Sequence, residues 1–388
     1  MILLFWISLF IVFYTFVGYA IVLFCLVKLK RLIYGKRKLV YNLDHLPTLT
    51  LIVAAYNEAN IIEEKIQNTL ALHYPAGKIS YIFVTDGSSD STPDKVRLNS
   101  AIQLMHIPER KGKVSAMHRA MQEVKTEVTV FTDANTFLNS DALVNIARHY
   151  SDRSVGAVSG EKRVHVSEVS DATAGEGFYW KYESLLKKWD SELYSVVGAA
   201  GELFSIRTDL YQPVLPDTIV DDFMMTLLIA SNGYRIIYEP EAFALENSSA
   251  NTKEELKRKI RIAAGGMQSI IRLKCLLNPF KHPILSFQYV SHRVLRWTIT
   301  PFFMIITLLL NITIVLYHGS LIYQVLLAAQ LFFYTLAFVG WILERREIKI
   351  KPLFVPFYFC LMNYAVIMGI NRYFSNKQSA AWEKAKRK

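Results

Sequence analysis

Apolar residues are concentrated at the two ends of the chain, where they predict membrane helices. Residues 1–27 contain no charged side chain, and about 20 apolar residues are enough for a helix to cross the hydrocarbon core of a bilayer. The run lacks the basic start, the shorter apolar region and the small-residue cleavage site of a signal peptide. We therefore expect an uncleaved transmembrane anchor over residues 1–28.

The carboxyl-terminal region, residues 297–372, is predicted to hold two or three further spans. No charged residue occurs over 297–343, and a polar break at 318–320 divides this run in two. A third apolar stretch covers 352–370. Whether it crosses stays open, because four crossings would place the basic tail, residues 373–388, on the side that the charge bias disfavours.

Between these ends, residues 39–250 predict one α/β domain. Short apolar, β-branched runs at 50–55, 81–86, 101–107 and 128–133 alternate with helical patterns. Such an alternation is typical of a doubly wound, mostly parallel sheet. Ligands of these sheets bind beyond the carboxyl ends of the strands.

Residues 251–296 link the domain to the membrane region and read as basic amphipathic helices. Apolar residues recur at spacings of three and four, and lysine and arginine occupy much of the rest, which suits an anionic membrane surface. Alternatively, Arg258 and Arg261 face a diphosphate, because guanidinium groups match phosphate oxygens. Arg296 and Trp297 adjoin a span, where an interfacial aromatic is the simpler explanation.

Composition excludes several classes of protein. The chain is 52% hydrophobic with a mean hydropathy of +0.22, which rules out a disordered or fibrous protein. Its 3 cysteines lack the spacing of a disulfide framework or a structural zinc site. Phosphate-loop, dinucleotide-glycine, HExxH and GxSxG motifs are also absent, so the sequence does not indicate a P-loop ATPase, a Rossmann dehydrogenase or a serine hydrolase.

Positive charge predicts the orientation in the membrane. The chain has 44 Lys and Arg against 33 Asp and Glu. Six of the basic residues follow the anchor directly, without an acidic residue between them: Lys28, Lys30, Arg31, Lys36, Arg37 and Lys38. The positive-inside rule places this end, and with it the central domain, in the cytoplasm. We therefore expect membrane lipids as partners and no nucleic acid.

Polar side chains follow the predicted strands, and each cluster has two interpretations. Asp86 begins a segment typical of a turn before a helix cap, or it accepts hydrogen bonds from a base or ribose. Asp133 and Asn135 form a common loop sequence, or they supply oxygen ligands to Mg²⁺ or Mn²⁺. Asp221 and Asp222 precede an apolar helix, where carboxylates favour the amino terminus; alternatively, one is a general base whose pKa the other tunes.

Taken in order, these motifs resemble those of membrane-bound family 2 glycosyltransferases such as cellulose, hyaluronan and poly-N-acetylglucosamine synthases. The resemblance rests on AAYNEA, VTDGSSDST, RKGK, TDAN, GAAGELFSIR and VDDF, and it covers about residues 48–300. It implies a GT-A fold, a nucleotide-diphospho sugar donor (usually UDP-linked), inversion at the anomeric carbon and a divalent metal. The acceptor would be a glycan or a lipid-linked molecule. Whether an export or accessory subunit is a further partner stays open.

The resemblance also implies roles for individual residues. The nucleotide sugar would contact Ala54, Tyr56, Glu58, Asp86, Lys113 and Asp133. The family's Asp-x-Asp position, which serves the ribose, diphosphate and metal, is occupied by Asp133 and Asn135. Asp222, with Asp221 beside it, takes the place of the general base. The acceptor segment would include Gly201, Glu202 and Arg207, and the diphosphate or gating residues would be Arg258, Arg261, Arg296 and Trp297.

Two departures from the family pattern leave alternatives open. Asn135 is neutral, so it is a weaker cation ligand than the family's second aspartate. The family's Gln-x-x-Arg-Trp motif, which helps to hold the terminal disaccharide in polymer synthases, has no clean copy, so single-sugar transfer to a polyprenyl phosphate or lipid is an alternative to polymer synthesis. From other classes, a catalytically inactive nucleotide-binding regulator and a basic membrane scaffold are further hypotheses.

Overall fold

The computed structural model describes residues 1–35, 45–165, 173–247, 251–346, 348 and 350–375. Some of the sequence-based predictions therefore lie outside the described residues. These are the basic residues Lys36, Arg37 and Lys38, the first residues of the predicted central domain (39–44), and the tail from 376 onward.

An eight-stranded sheet forms the centre of the domain. Its strands are β1 Leu49–Ala55, β2 Ile79–Asp86, β3 Gln103–Ile107, β4 Val128–Asp133, β5 Thr136–Leu138, β6 Val155–His165, β7 Leu203–Arg207 and β8 Arg235–Asn247. Their order across the sheet is β3-β2-β1-β4-β7-β6-β8-β5. Strands β1 to β4 pair in parallel, as do β6 and β8. Strand β7 is antiparallel to β4 and β6, and β5 is antiparallel to β8.

The expected α/β class with a mostly parallel sheet is confirmed. The run predicted at 128–133 coincides with β4, and the other three predicted strands differ from β1, β2 and β3 by one or two residues at their ends. Every residue of β1 is buried, because apolar side chains pack against both faces of the sheet. This explains why β1 reads as a continuous apolar run rather than an alternating one.

The helices of the described residues are α1 Ile2–Phe13, α2 Tyr19–Tyr34, α3 Ile62–Leu70, α4 Thr92–Arg97, α5 Lys113–Met121, α6 Ala142–Ala147, α7 Thr173–Leu193, α8 Asp221–Ser231, α9 Thr252–Arg272, α10 Pro283–Tyr289, α11 Leu295–Trp297, α12 Thr300–His318, α13 Leu321–Arg345 and α14 Lys351–Phe374. A π-helical turn, Tyr14–Gly18, joins α1 to α2 without a break. The predicted basic amphipathic pattern is helix α9, whose Asn251 side chain accepts a hydrogen bond from the Glu254 amide.

Four helical segments among the described residues are long and apolar enough to cross a membrane. They are 2–34, α12, α13 and residues 352–374 of α14. The third carboxyl-terminal stretch therefore forms a helix of spanning length. It differs from the others in its packing, because 44% of its most apolar window is buried within the protein, against 28%, 28% and 11% for the other segments. The partners that cover α14 include α9 and α13.

A buried charged cluster joins the anchor to the α/β domain. The Tyr19 hydroxyl donates to Asp190 on α7, and His292 Nδ1 lies 2.6 Å from the other oxygen of Asp190. Glu183, which also lies on α7, accepts a hydrogen bond from Arg296 Nη1 at 3.0 Å. Because unpaired buried charges are costly, these contacts fix the membrane helix against the domain that carries the candidate site.

Candidate active site

A small pocket lies beyond the carboxyl ends of β1 and β2. Asp86, the last residue of β2, accepts hydrogen bonds from the amides of Lys111 at 2.8 Å and Gly112 at 2.6 Å. The Arg110 guanidinium lies over the Tyr56 ring, 4.0 Å from its centre. Ala54, Tyr56 and Asp86 line the pocket together with the first residues of α5. A flat cation–aromatic pair beside a fixed carboxylate is suited to holding a ring with polar edges.

Glu58, which was expected to contact the nucleotide sugar, is buried in the β1–α3 loop and is not among the described residues that line this pocket. Its amide donates to Thr92 Oγ1 at 2.8 Å, and its carbonyl accepts the amides of Ile61 and Ile62 at the start of α3. The preceding Asn57 has a positive φ of 52°, a conformation that asparagine adopts more readily than most residues. The loop therefore presents Tyr56 to the pocket, and the backbone of Glu58 supports the turn behind it.

Lys113 connects the small pocket to a larger cavity, because it lines both. As the first residue of α5, it places its Nζ 2.7 Å from Asp133 Oδ1 and 3.8 Å from Asp221 Oδ2. Burial alone would lower the pKa of Lys113, but Asp133 and Asp221 raise it well above its usual value. The side chain is therefore a permanent cation, which suits a phosphate-bearing ligand.

Hydrogen bonds from buried side chains fix the turn after β4. Lys65 Nζ donates to the Thr136 carbonyl at 2.6 Å, and Thr136 Oγ1 donates to the Asp133 carbonyl at 3.0 Å. Thr132 Oγ1 donates to the Glu202 carbonyl at 2.8 Å, which ties this turn to the segment before β7. These contacts give Asp133 and Asn135 a defined position at the edge of the cavity.

The oxygens at this turn fit a hard divalent cation. Asn135 Oδ1 is buried without a hydrogen-bond partner among the described residues, and Asp133 Oδ1 and Asp221 Oδ2 lie near the same ammonium group. Carboxylate and amide oxygens are the ligands that Mg²⁺ and Mn²⁺ take. Within the described part of the chain, no cluster of three or more His, Cys, Asp or Glu forms a complete metal site. A cation here would therefore take further ligands from a bound phosphate.

Asp222 lies at the start of α8 and faces Gly201. A Cβ placed on Gly201 would come within 3.3 Å of Asp222 Oδ2, so the glycine leaves room at the carboxylate. Burial and the neighbouring Asp221 raise the pKa of Asp222 to about 7, against the opposing effect of Lys113. A carboxylate with this pKa can accept a proton near neutral pH.

Glu202 is held as an anion beside Asp222. Lys162 Nζ lies 2.6 Å from Glu202 Oε1 and also contacts Glu246. Burial would raise the pKa of Glu202, but Lys162 holds it well below its usual value. A second permanent negative charge near Asp222 favours the protonated form of Asp222, which is the form that it reaches after taking a proton.

The larger cavity has a volume of about 880 Å³, toward the upper end of the roughly 300–1,000 Å³ that is typical of ligand pockets. The residues that line it come from distant parts of the chain. They include Lys113, Asp133, Asn135, Gly201, Glu202, Asp221, Asp222, Arg258, Arg261, Arg296, Trp297, Asn363 and Arg372. The structure thus brings most of the predicted catalytic, metal, acceptor and gating residues to one space, and Ala54, Tyr56 and Asp86 to the adjoining pocket.

The four predicted gating residues differ in their surroundings. Arg258 forms a two-pronged contact with Glu255, at 3.0 and 2.9 Å, and Arg261 follows on the same helix. Trp297 packs against Phe223 with ring centres 5.2 Å apart. A Cβ on Gly266 would come within 2.3 Å of Trp297, so this glycine is needed for the indole to reach the cavity wall.

Arg207 is not part of the site, which corrects the expectation that it borders the acceptor. Strand β7 runs antiparallel to β4. Leu203 therefore pairs with Thr132 at the end of the strands that faces the site, and Arg207 pairs with Val128 at their other end. There its guanidinium donates to the carbonyls of Val155 at 2.7 Å and Tyr150 at 2.8 Å. Its role is to stabilise backbone turns.

Sequence reasoning missed several residues that build the site. Lys162 lies in β6, where a lone lysine gives no sign that it pairs with Glu202 and Glu246. Lys65 reads as the polar face of α3 but is fully buried. Arg372, in the last turn of α14, was assigned only to the membrane region. The one available signal was at Arg110, which is the first residue of the RKGK motif.

Comparisons with known proteins agree with this geometry. A family model described as glycosyltransferase like family 2 matches residues 47–265. A poly-β-1,6-N-acetyl-D-glucosamine synthase of Staphylococcus aureus is 27% identical over 241 residues, which is 60% of this chain and 57% of that protein. The corresponding synthase of Staphylococcus epidermidis is 23% identical over 249 residues, which is 61% of this chain and 59% of that protein. The chain thus spans less than two thirds of the length of the curated relatives it matches.

A solved structure shares the fold over almost the whole chain. It is a mannosyltransferase from Pyrobaculum calidifontis in complex with GDP-Man and Mn²⁺, with a TM-score of 0.72 and 24% identity. The match covers 97% of this chain and 100% of that one. At this identity the likeness establishes the fold, which is of the GT-A type expected from the motifs.

Proposed function

Because the chain belongs to the glycosyltransferase-like family 2, we propose that it transfers a sugar from a nucleotide-diphospho sugar to an acceptor held at the membrane. One observation carries the proposal: Lys113, Asp133 and Asp222 line one cavity, and Lys113 also lines the pocket of Asp86. A nucleoside at Asp86 would place its diphosphate at Lys113 and its sugar toward Asp222. The similarity to poly-N-acetylglucosamine synthases suggests a UDP-sugar and a role in exopolysaccharide or envelope glycan synthesis.

In the proposed reaction, Asp222 is the general base. An acceptor hydroxyl is a poor nucleophile until its proton is removed, and Asp222 takes this proton as the oxygen attacks the anomeric carbon. Attack opposite to the leaving diphosphate inverts the anomeric configuration. Gly201 keeps the approach to the carboxylate open, and the anion of Glu202 stabilises the protonated product form of Asp222.

The leaving nucleoside diphosphate gains negative charge, which positive groups must stabilise. Lys113 is fixed for this role by Asp133 and Asp221. A divalent cation, Mg²⁺ or Mn²⁺, would be held by Asp133 and Asn135 and would supply further positive charge to the phosphates. Asp86 and the Arg110–Tyr56 pair would hold the nucleoside in place.

The proposed location is the inner or plasma membrane, with the α/β domain on the cytoplasmic side. Lys28, Lys30 and Arg31 lie in the last turns of the first apolar helical segment, and the positive-inside rule assigns that end to the cytoplasm. Lys30 donates to the carbonyls of Glu192 and Leu193 on α7, so this end of the anchor contacts the domain. Nucleotide sugars are made in the cytoplasm, which agrees with this orientation.

The test is transfer by the purified protein in lipid vesicles, supplied with a panel of radiolabelled UDP- and GDP-sugars and with membrane extract as the acceptor source. We expect turnover of one donor with Mg²⁺ or Mn²⁺ and its loss in Asp222→Asn. Nucleotide binding, measured by calorimetry, should persist in that variant. Turnover by Asp222→Asn at the wild-type rate would refute the assignment of the base, and the absence of both turnover and nucleotide binding would refute the function.

A further inference from the structure

The segment that leads to the proposed base has little regular structure of its own. Residues 211–220, here called the base loop, precede α8 and belong to no helix or strand. The Thr218 amide donates to the Leu215 carbonyl at 2.9 Å, but no strand of the described residues pairs with the loop. Asp221 and Asp222 are the first residues of α8. Their position therefore depends on the side chains that pack against the base loop.

Helix α9 holds the base loop through the side-chain amide of Gln268. Its Nε2 donates to the Asp217 carbonyl at 3.0 Å, and its Oε1 accepts a hydrogen bond from the Ile219 amide at 3.1 Å. One side chain thus bonds to the backbone on both sides of Thr218, as a neighbouring strand would. Gln268 is only 6% exposed, and backbone groups in such surroundings need partners. The amide therefore fixes the backbone directly before Asp221.

Two further contacts with the base loop come from the same face of α9. Gly265 and Arg272 lie three residues before and four residues after Gln268, which is the spacing of one helical face. A Cβ on Gly265 would come within 2.8 Å of Ile219, so the helix packs directly on the loop. Arg272 Nη2 lies 2.6 Å from Asp217 Oδ2, but this carboxylate is 63% exposed, and exposed ion pairs contribute little stability. Gln268 is therefore the main polar anchor of the loop.

Helix α9 is itself held in place by other parts of the protein. A Cβ on Gly369 of α14 would come within 2.5 Å of Ala263 Cβ, and one on Gly266 would come within 2.3 Å of Trp297. Trp297 in turn packs against Phe223, the residue after Asp222. The basic helix that the sequence assigns to a membrane surface is therefore also a fixed support for the start of α8.

We propose that Gln268 is a positioning residue, whose amide holds the base loop so that the Asp222 carboxylate is directed at the acceptor hydroxyl. This rests on the proposed function and adds a residue that acts without touching substrate, because Gln268 is not among the described residues that line the cavity. Ile219 lies three residues before Asp222, so a loop that loses both bonds displaces the carboxylate. A displacement of about 1 Å at a reacting group costs on the order of 100-fold in rate.

Gln288 offers a matched control. It is another buried glutamine, and its Nε2 donates to the carbonyl and the carboxylate of Asp190 at 2.8 and 3.0 Å. Its Oε1 accepts a hydrogen bond from the Ser195 amide at 3.4 Å. Replacement of either glutamine by methionine removes the same kind of amide and nearly keeps the length of the side chain. Both variants should lose stability, but only Gln268→Met should displace the base loop.

The first experiment needs no activity. Hydrogen exchange of the full chain in lipid nanodiscs is followed by mass spectrometry in a peptide that contains residues 217–222. We expect Gln268→Met to speed the exchange of the Ile219 amide at least about tenfold, because this amide loses its acceptor. Gln288→Met should leave the exchange of this peptide unchanged. Unchanged exchange in Gln268→Met would overturn the proposal, whether or not a donor is known.

The second experiment uses the donor identified by the panel of nucleotide sugars. Gln268→Met should lower kcat about 10- to 100-fold, with the KM of the donor within about twofold of the wild type, because the base moves and the nucleoside pocket does not. Gln288→Met should keep kcat within about twofold of the wild type. Equal losses of kcat in the two variants would mean that general destabilisation is the cause, and would overturn the positioning role.

A double-mutant cycle tests whether Gln268 acts through Asp222. In the Asp222→Asn background, Gln268→Met should lower the remaining rate by no more than about twofold, because there is no base left to misplace. The same fold loss in both backgrounds would overturn the proposal while the glycosyltransferase function stands. Failure of every nucleotide to bind would instead refute the proposed function, and the exchange experiment would still decide whether Gln268 fixes the loop.

Discussion

Gly201 stands directly against the carboxylate of Asp222, so that even a methyl group at position 201 would lie 3.3 Å from Oδ2. This contact is tighter than is usual between a methyl carbon and its neighbours, and either the carboxylate or the acceptor would have to shift. The proposed base therefore depends on the lack of a side chain on the strand side of the cavity.

We expect Gly201→Ala to lower kcat by about 10- to 100-fold, because a small misplacement of a reacting group has large kinetic effects. The Kd of the nucleotide should not change, since the pocket at which we propose that the nucleoside binds is lined by other residues. Steady-state kinetics and calorimetry measure the two quantities, and an unchanged melting temperature shows that the fold is intact. Wild-type kcat in Gly201→Ala would mean that Asp222 does not act from its present position.

The pKa of Asp222, raised to about 7, predicts the pH dependence of the reaction. A general base works only when deprotonated, so kcat/KM should rise with pH through about 7 and level off above it. Asp222→Asn should lose this limb and about 10²- to 10⁴-fold of the rate, the typical contribution of a general base. Asp221→Asn should move the limb to lower pH, because Asp221 raises the pKa of Asp222. A pH profile that is the same in all three proteins would contradict the assignment.

Asn135 predicts a weak metal site that can be strengthened. Its Oδ1 is a neutral ligand, and a carboxylate binds a divalent cation more strongly. We expect the wild type to lose activity in EDTA, and Asn135→Asp to reach half-maximal activity at a lower Mn²⁺ concentration. Direct Mn²⁺ binding in the presence of UDP, followed by electron paramagnetic resonance, gives a readout that does not depend on turnover. Full activity of the wild type in EDTA would contradict the metal site, and it would mean that Lys113 stabilises the negative charge of the phosphates without a metal ion.

Lys65 predicts an unusual dependence of stability on pH. Burial lowers its pKa from 10.5 to about 7, so between these values the unfolded chain holds a proton that the folded protein has released. The free energy of unfolding should therefore rise with pH across this interval, by an amount on the order of 5 kcal/mol at most. Lys65→Met should lose much of this slope, which melting temperatures in detergent at about pH 7 and about pH 10 would measure. A wild-type slope in that variant would show that Lys65 stays charged in the fold.

Strand positions and strand-end chemistry were predictable from the sequence because they are local. The run that became β4 ends at Asp133, and Asp86 ends β2, since apolar β-branched residues define strands and parallel strands share one binding edge. Arg207 was misplaced because sequence order does not give strand direction: β7 turns back against β4 and carries Arg207 away from the site. The pairing of Lys162 with Glu202 and the approach of α14 to α9 depend on tertiary packing, which no local pattern encodes.

Helix α14 gives a final prediction, about the topology of the membrane region. Gly369 is packed so closely on α9 that a Cβ there would lie 2.5 Å from Ala263 Cβ, and the same helix lines the larger cavity. A helix docked on the α/β domain in this way is expected to stay at the membrane surface on the domain's side rather than cross. That arrangement also keeps Arg372 on the side favoured by the positive-inside rule.

Single cysteines in a background without native cysteines test this arrangement. Ser375→Cys, just after α14, should react with a membrane-impermeant maleimide in vesicles that expose the α/β domain. Ser320→Cys, between α12 and α13, is the matched control and should react only in vesicles of the opposite orientation. Labelling of both positions from the same side would mean that α14 crosses the bilayer, and the acceptor would then meet Asp222 beside a true transmembrane helix.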